Sequence, residues 1–374
     1  SAMKHHIAVL GTGMVGRAIV YDLSQKHRIT AADKEPRALK LCREIKGVET
    51  HQADLTDPEQ INRIIKDTDF VISAVPGFMG YKTLETVITN GKPVVDISFM
   101  PEDFMELQSL AKEKGVTAIA DCGVAPGMPN LILGHHSQQM NIGHFEYMVG
   151  GLPRERKFPF EYKAPFSPID VLEEYTRPAR VMENGQVIAR EAMSEPEMVY
   201  FEGLGHLEAF NTDGLRSLLQ TMDHIPYMKE KTLRYPGHIR LIQALKAAGF
   251  FAEQEVEAGN QKVRPIDVTN QILMKDWQLK PGEPEFTIMR INLEGDGKKT
   301  TYELLDEYDP NSGLSSMART TGFTATAAAS MLLEGIFVEK GMFPPEHIGQ
   351  AEGCFPYIMD YLMKRRVRYR LTQS

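Results

Sequence analysis

Six strand-length runs, 7-IAVL-10, 28-RITAAD-33, 48-VETHQAD-54, 70-FVISAV-75, 94-VVDIS-98 and 116-VTAIAD-121, recur through the first 125 residues. Amphipathic segments of helical length separate them: Val15–Lys26, Glu35–Lys46, Pro58–Lys66, Lys82–Asn90 and Asp103–Lys114. Strands that alternate with helices of this length predict βαβ units and a parallel sheet. Right-handed crossovers then make a Rossmann-type doubly wound sheet with helices on both faces, an α/β fold. A chain of 374 residues is long for one core, so a second domain is expected.

The first turn of that sheet reads Gly11-Thr12-Gly13-Met14-Val15-Gly16. The three glycines serve different ends. The first permits the tight turn, the second lets backbone approach a pyrophosphate, and the third lets helix pack on strand. Backbone N–H groups and the positive end of the helix dipole then hold phosphate. The pattern follows a strand, opens a helix and has Asp33 22 residues beyond Gly11, the context the motif requires. A dinucleotide is therefore expected at Gly11–Gly16. Asp33 suits two ribose hydroxyls and repels a 2′-phosphate, which favours NAD over NADP; Lys34 and Arg37 nearby suit a phosphate and keep NADP as the lesser alternative. Asp54, at the end of the third strand, is either near the adenine or a solvated residue at a helix start. Ala74, Val75 and Pro76 close the fourth strand on the nicotinamide side.

After Asp121 the texture changes. Prolines and glycines crowd 123-GVAPGMP-129 and 150-GGLPRERKFP-159. Asn184-Gly185 lies between 179-ARVM-182 and 186-QVIA-189, and Asp296-Gly297 between 286-FTIMRINLEG-295 and 298-KKTTYELLDEY-308; both predict hairpins. The middle of the chain is thus expected to be a mixed, largely antiparallel α+β domain. The stretch 314-LSSMARTTGFTATAAASMLLEGIFVEKG-341 predicts a long helix ending at Gly341, with small residues for close packing.

Composition excludes several classes. A net charge of −8 and a pI of about 5.8 disfavour a nucleic-acid binder. The basic cluster 364-KRRVRYR-370 reads as a solvated face or an edge strand. No apolar stretch reaches the roughly 18 residues that span a membrane, and SAMKHHIAVLG enters the first strand with no signal-peptide pattern. Cys42, Cys122 and Cys354 are scattered and match neither a disulfide framework nor a metal spacing, so a reducing cytoplasm is the expected location. His135-His136 and the dispersed carboxylates show no metal-binding spacing, and no metal is expected.

Ligands bind outside the carboxyl ends of parallel strands. Asp96 and Ser98 end the fifth strand, and Asp121 and Cys122 the sixth. Asp96 and Asp121 are candidates for proton transfer or loop caps, Ser98 a candidate cofactor contact, and Cys122 reads as a packed small residue. In 231-KTLRYPGH-238 a rigid turn aims the Arg234 fork at a carboxylate, with Tyr235 beside it; His238 is a base or a satisfied histidine at a helix start. In 210-FNTDGL-215, Asn211 and Asp213 suit an ammonium or carboxylate, or simply form a turn. Arg319, Thr320 and Thr321 of 317-MARTTGF-323 open the late helix and face an anion or the nicotinamide amide, or simply cap the helix.

The chain resembles the saccharopine dehydrogenase-like superfamily, most closely its L-lysine 6-dehydrogenases. The resemblance covers nearly the whole chain and rests on 10-LGTGMVG-16, 121-DCGVAPGMPN-130, 149-VGGLP-153, 206-HLEAFNTDGL-215, 231-KTLRYPGH-238 and 317-MARTTGF-323. In saccharopine-forming reductases the stretch matching 124-VAPG-127 tends to read Leu-Asp-Pro-Gly; Ala125 here favours the lysine branch, whereas 211-NTD-213 resembles the Asn-Arg-Asp of the saccharopine enzymes. The resemblance implies a discontinuous nucleotide domain, 1–125 plus 316–374, and a substrate and dimerisation domain, 126–315. It implies an NAD-dependent deamination of the ε-amino group of L-lysine to 2-aminoadipate 6-semialdehyde, which cyclises, with release of ammonia. Asp96 or Asp121 would be the base, Arg234 would hold the α-carboxylate, and Asn211 and Asp213 the α-ammonium; a homodimer is the expected assembly. Two rivals stand beside it: a saccharopine or carboxylated-polyamine dehydrogenase, for which Arg154, Arg156, Lys157 and Lys163 supply cations, and a non-catalytic NAD-binding protein.

Overall fold

The computed structural model describes residues 4–165 and 168–374, and its contacts divide the chain into two compact units. The first comprises residues 1–142, 295–298 and 317–370; the second comprises 143–294, 299–316 and 371–374.

In the first unit β1 (His6–Leu10), β2 (Arg28–Asp33), β3 (Val48–Gln52), β4 (Phe70–Ser73), β5 (Val94–Asp96) and β6 (Thr117–Ile119) fall on the six expected runs. Together with a further strand, Gly341–Phe343, they form a parallel sheet. From one edge its order is Gly341–Phe343, β6, β5, β4, β1, β2, β3. The order reverses between β1 and β4, the switch point at which doubly wound sheets bind ligands. The strands are Val-, Ile- and Ala-rich because helices cover both faces; Ile7, Val9, Ile29, Val71, Ile72, Val94 and Val95 are fully buried.

The late helix, Ser316–Leu333, is shorter than expected. Gly335 turns the chain with φ 74°, and Gly341, expected to end the helix, instead begins the last parallel strand beside β6. The small residues of this helix have the anticipated use: Ala325, Ala327, Ala328 and Ala329 are fully buried, and a Cβ on Gly322 would stand 3.1 Å from that of Ala18. Ala18 belongs to α1 (Met14–Leu23), so the two helices approach nearly backbone to backbone. The helix Met128–Ser137 belongs to the first unit, which therefore runs to residue 142 before the chain leaves it. Gly134 and Gly349 pack that helix on Pro345–Gln350, and Asn130 donates to Glu346 at 3.1 Å, both fully buried.

The second unit is a mixed sheet with antiparallel predominance. Its order is Glu197–Phe201, Gly205–Asn211, Tyr227–Arg234, His144–Pro153, Glu285–Gly295, Lys298–Glu307 and Tyr369–Gln373, with the hairpin Ala179–Glu183 and Gln186–Arg190 attached to Tyr227–Arg234. Both expected hairpins are present; Asn184 and Gly185, and Asp296 and Gly297, all take positive φ, as their turns require. The basic tail supplies the edge strand Tyr369–Gln373. Helices pack Trp277, Tyr175, Leu172 and Ile242 against Phe210, Leu233 and Phe286 of the sheet.

Candidate functional site

The glycine turn joins β1 to α1 at the switch point. Gly11 has φ 95°, and a Cβ there would overlap the Ala74 carbonyl oxygen; one on Gly16 would overlap the Gly11 carbonyl oxygen. These two glycines are demanded by the protein itself. Gly13 is different: a Cβ on it would meet none of the described residues within 4 Å, and its φ of −64° suits any residue. No side chain of the described residues caps the first turn of α1, and no acidic residue sits in it. Gly13 and Met14 are exposed, Val15 half-buried, and Thr12 and Gly16 buried. An uncapped helix start with open space at Gly13 is what a pyrophosphate needs, so the turn fits a dinucleotide.

Asp33 shapes this turn. Its Oδ2 accepts from Thr12 N at 2.7 Å and from the Thr12 hydroxyl at 3.3 Å, and its Oδ1 from Glu35 N at 2.9 Å. Ala74 N donates to Leu10 O at 2.7 Å, Val75 is buried in the core, and exposed Pro76 precedes the helix Gly77–Thr89. Asp54 is exposed and turned into a local loop: its Oδ1 accepts from Thr56 N at 2.9 Å and Thr56 Oγ1 at 2.6 Å, bonds that hold its carboxyl below the usual range. Asp54 is thus solvated, but it stands in the loop before the helix Pro58–Ile65, whose start is capped by Asp57.

At the carboxyl ends of β4 and β5 the structure gathers buried polar groups. Asp96 is fully buried; its Oδ2 accepts from Ser98 Oγ at 2.9 Å and Ser98 N at 3.1 Å. Ser98 thus orients Asp96, a role the cofactor expectation did not include. The fully buried Ser73 stands in register beside Asp96 on β4. Burial pushes the Asp96 carboxyl up to about 7; Ser98 and Ser73 oppose the rise, and the charge of Asp121 adds to it. Asp121 is 2% exposed with φ 55°. Burial also pushes the Cys122 thiol up to about 12, which leaves it a packed, unreactive group. Arg319 is 5% exposed, and its Nη2 donates to Arg365 O at 2.9 Å.

In the second unit Arg234 is the hub of a buried network. Its Nη2 donates to Glu174 at 2.7 Å, its Nε to the Tyr175 hydroxyl at 3.2 Å and its Nη1 to Leu233 O at 3.0 Å, while the guanidinium lies 4.2 Å from the centre of the Tyr162 ring. With 3% of its side chain exposed, the fork expected to await a carboxylate already holds one, that of Glu174. His238 is satisfied: Nδ1 donates to Phe160 O at 2.9 Å, so Nε2 accepts from the Tyr175 hydroxyl at 2.8 Å. Burial, with the Arg234 charge behind it, holds this histidine down at about 3, hence neutral. Of its two sequence readings, this is the satisfied histidine. The Tyr235 hydroxyl donates to Pro153 O at 2.7 Å.

Asn211 and Asp213 have separate fates. Asn211 Nδ2 donates to Glu195 at 2.7 Å and to Ser194 at 3.2 Å, and its Oδ1 is buried without a partner among the described residues. Asp213 is clamped by Arg180, whose Nε and Nη2 both donate to it at 3.0 Å. The basic loop is similarly committed: Arg154 pairs with Glu307, Arg156 with Glu161 at 2.8 Å, Lys157 with Glu155 at 3.7 Å, and Lys163 Nζ donates to Asp276 O at 2.9 Å. Glu230, which the sequence reading missed, is buried against Thr212; burial pushes its carboxyl up to about 8. Its only sequence signal is an acid at an inward-facing position of a strand.

Comparison with known proteins finds both a family and a fold. Residues 7–119 match the family model described as the saccharopine dehydrogenase NADP binding domain, and residues 123–367 the saccharopine dehydrogenase C-terminal domain. The chain is 21% identical to the mitochondrial alpha-aminoadipic semialdehyde synthase of Rattus norvegicus, over 91% of this chain but 45% of the rat protein, so it spans about half the length of that relative. It is 24% identical to the NADP(+), L-glutamate-forming saccharopine dehydrogenase of Schizosaccharomyces pombe, over 97% of each chain. The apo saccharopine dehydrogenase (L-Glu forming) of Saccharomyces cerevisiae superposes with a TM-score of 0.80 at 18% identity, over 99% of this chain and 100% of that one, a likeness of fold.

Proposed function

The chain belongs to the saccharopine dehydrogenase family, and from that premise we propose that it is an NAD-dependent oxidoreductase that removes the ε-amino group of L-lysine. The observation that carries the substrate choice is the state of its cations. Saccharopine has three carboxylates and lysine one. Arg154, Arg156 and Lys157 are each paired with a carboxylate of this chain, and Lys163 with a backbone carbonyl. A substrate with a single carboxylate asks least of them. The departure at Ala125 points the same way.

Gly11–Gly16 and Asp33 would hold the dinucleotide, which supplies the hydride acceptor when bound. Asp33 carries the preference for NAD: a carboxylate at the end of β2 accepts from ribose hydroxyls and repels a 2′-phosphate. Asp96 is the proposed base. A carboxyl raised to about 7 is poised to take a proton from the ε-ammonium near neutral pH, with the neighbouring Asp121 raising its basicity. Loss of hydride from the ε-carbon then leaves an imine, and water releases ammonia and the semialdehyde. Arg234 is the proposed anchor of the α-carboxylate, by exchange with Glu174. The Asn211 Oδ1 acceptor suits the α-ammonium, whereas Asp213 is spent on Arg180. A homodimer, which rests on the resemblance alone, acting in a reducing cytoplasm, which rests on the scattered cysteines, completes the reading.

The second reading is oxidation of saccharopine, favoured by the match over 97% of the Schizosaccharomyces pombe protein, whose name states that reaction's product. The ratio of kcat/KM for L-lysine and saccharopine, each with NAD, decides between them. A ratio well above one supports lysine; a ratio well below one overturns it.

A further inference from the structure

The helix Gly77–Thr89 follows β4 and buries Gly77, Gly80, Thr83, Leu84, Val87 and Ile88, the three-and-four spacing of an inward stripe. Leucine, valine and isoleucine fill the later part of the stripe, but at its start it is glycine. Neither Gly77 nor Gly80 has a positive φ, so the backbone does not demand glycine at either position. Glycine inside a helix costs stability relative to alanine. Its use here lies in what a Cβ would meet.

A Cβ on Gly80 would stand 1.9 Å from the Ser98 hydroxyl oxygen, 2.8 Å from Ser98 Cβ and 3.2 Å from Met100 Cβ. One on Gly77 would stand 2.8 Å from Phe99 O and 3.1 Å from Ser98 O. The start of the helix therefore lies directly on the turn that follows β5. That turn holds Asp96: Ser98 donates to Asp96 Oδ2 from Oγ at 2.9 Å and from N at 3.1 Å. Its next residue, Phe99, has φ 54°, an uncommon conformation for a bulky side chain, so the turn depends on the packing around it.

Two glycines in a buried stripe can serve packing alone. What sets Gly80 apart is that the atom nearest its missing Cβ is the oxygen that bonds Asp96. Rotation of the Ser98 side chain would clear that oxygen but break its bond to the carboxylate. Rotation leaves Ser98 Cβ in place, so the helix would also have to withdraw. Either response takes a donor from the charged form of Asp96.

We propose that Gly80 is a positioning residue for the base, seating the Ser98 hydroxyl on Asp96 from the neighbouring helix; this rests on the reading of Asp96 as the base. The test labels aspartate carboxyls with carbon-13, assigns the Asp96 signal through Asp96→Asn, and follows its titration by NMR beside the pH profile of kcat/KM. Ser98 holds the Asp96 carboxyl down. Gly80→Ala should therefore move the titration to higher pH, as Ser98→Gly does. The other groups that act on or beside Asp96, Ser73 on β4 and Asp121 and Cys122 after β6, are the same in every variant. Gly80→Ala/Ser98→Gly lacks both the hydroxyl and the Ser98 Cβ. It should titrate with Ser98→Gly and be no less stable than it, and it carries the test if Gly80→Ala does not fold. An unmoved Asp96 titration in folded Gly80→Ala overturns the proposal, as does a double variant that shifts beyond Ser98→Gly or is less stable than it. A titration that moves while the limb of kcat/KM stays in place supports the seat and removes Asp96 as the base, so the two failures are told apart.

Discussion

Ser73 and Asp96 stand side by side in register on neighbouring parallel strands, both fully buried. The carboxyl is poised at about 7 with Ser73 among the groups that hold it down. If Asp96 is the base, kcat/KM rises with pH through about 7, because the carboxylate form is the active one. Ser73→Ala should move that limb to higher pH while leaving the KM for NAD in place, and Asp96→Asn should remove most of the activity. A limb unmoved in Ser73→Ala would show that the serine does not tune the acid.

The same carboxyl bears on stability with the opposite sense. Its folded value of about 7 lies above the unfolded 3.8, so between these values the folded state binds more protons. Stability is fullest below the unfolded value and declines as pH rises through about 7. Glu230 acts likewise, from 4.5 to about 8. Glu230→Gln keeps the shape and removes the titration, so its melting temperature should fall less between pH 5 and 8 than that of the parent. Parallel melting curves would mean that Glu230 titrates normally.

The glycine turn separates folding from binding. Gly16→Ala overpacks the turn and should cost about 1–3 kcal/mol in a denaturant titration. Gly13→Ala meets nothing in the protein and should leave stability within about 0.5 kcal/mol. Its KM for the dinucleotide should nonetheless rise about tenfold or more, because the added methyl takes the space of the phosphates. An unchanged KM would place the pyrophosphate elsewhere.

Arg234 and Glu174 make a pair whose two halves predict opposite kinetics. Arg234→Ala removes the anchor and strands a carboxylate, raising KM for the amino acid and lowering stability by about 3–5 kcal/mol. Glu174→Gln removes the internal competitor, so KM should fall even though stability falls too. A KM that stays constant in Glu174→Gln would make Arg234 a purely structural residue.

The parts of the fold visible in the sequence are those with a local cause. β-branched runs mark the parallel strands, and Asn184-Gly185 and Asp296-Gly297 mark their hairpins through the positive φ that these residues tolerate. The strand Gly341–Phe343 has three residues and no alternation, so only its pairing with β6 defines it. The helix Met128–Ser137 hides in a stretch rich in proline and glycine, because Pro129 lies in its first turn, where a missing N–H is harmless. In the candidate site the glycine turn, Asp33, Asp96 and Asp121 were readable from strand ends. The partners were not: Glu174 meets Arg234 across 60 residues, and Ser73 meets Asp96 through sheet register alone. Spacing shows that Arg234 is aimed by a rigid turn, but only tertiary packing shows what it already holds.

The central claim is that the chain takes ammonia from a primary amine. Its most direct test is to supply NAD with L-lysine or with saccharopine and to count ammonia and glutamate against the NADH formed. The account predicts NADH with L-lysine and an equal amount of ammonia. NADH and glutamate from saccharopine, with neither NADH nor ammonia from L-lysine, would contradict it.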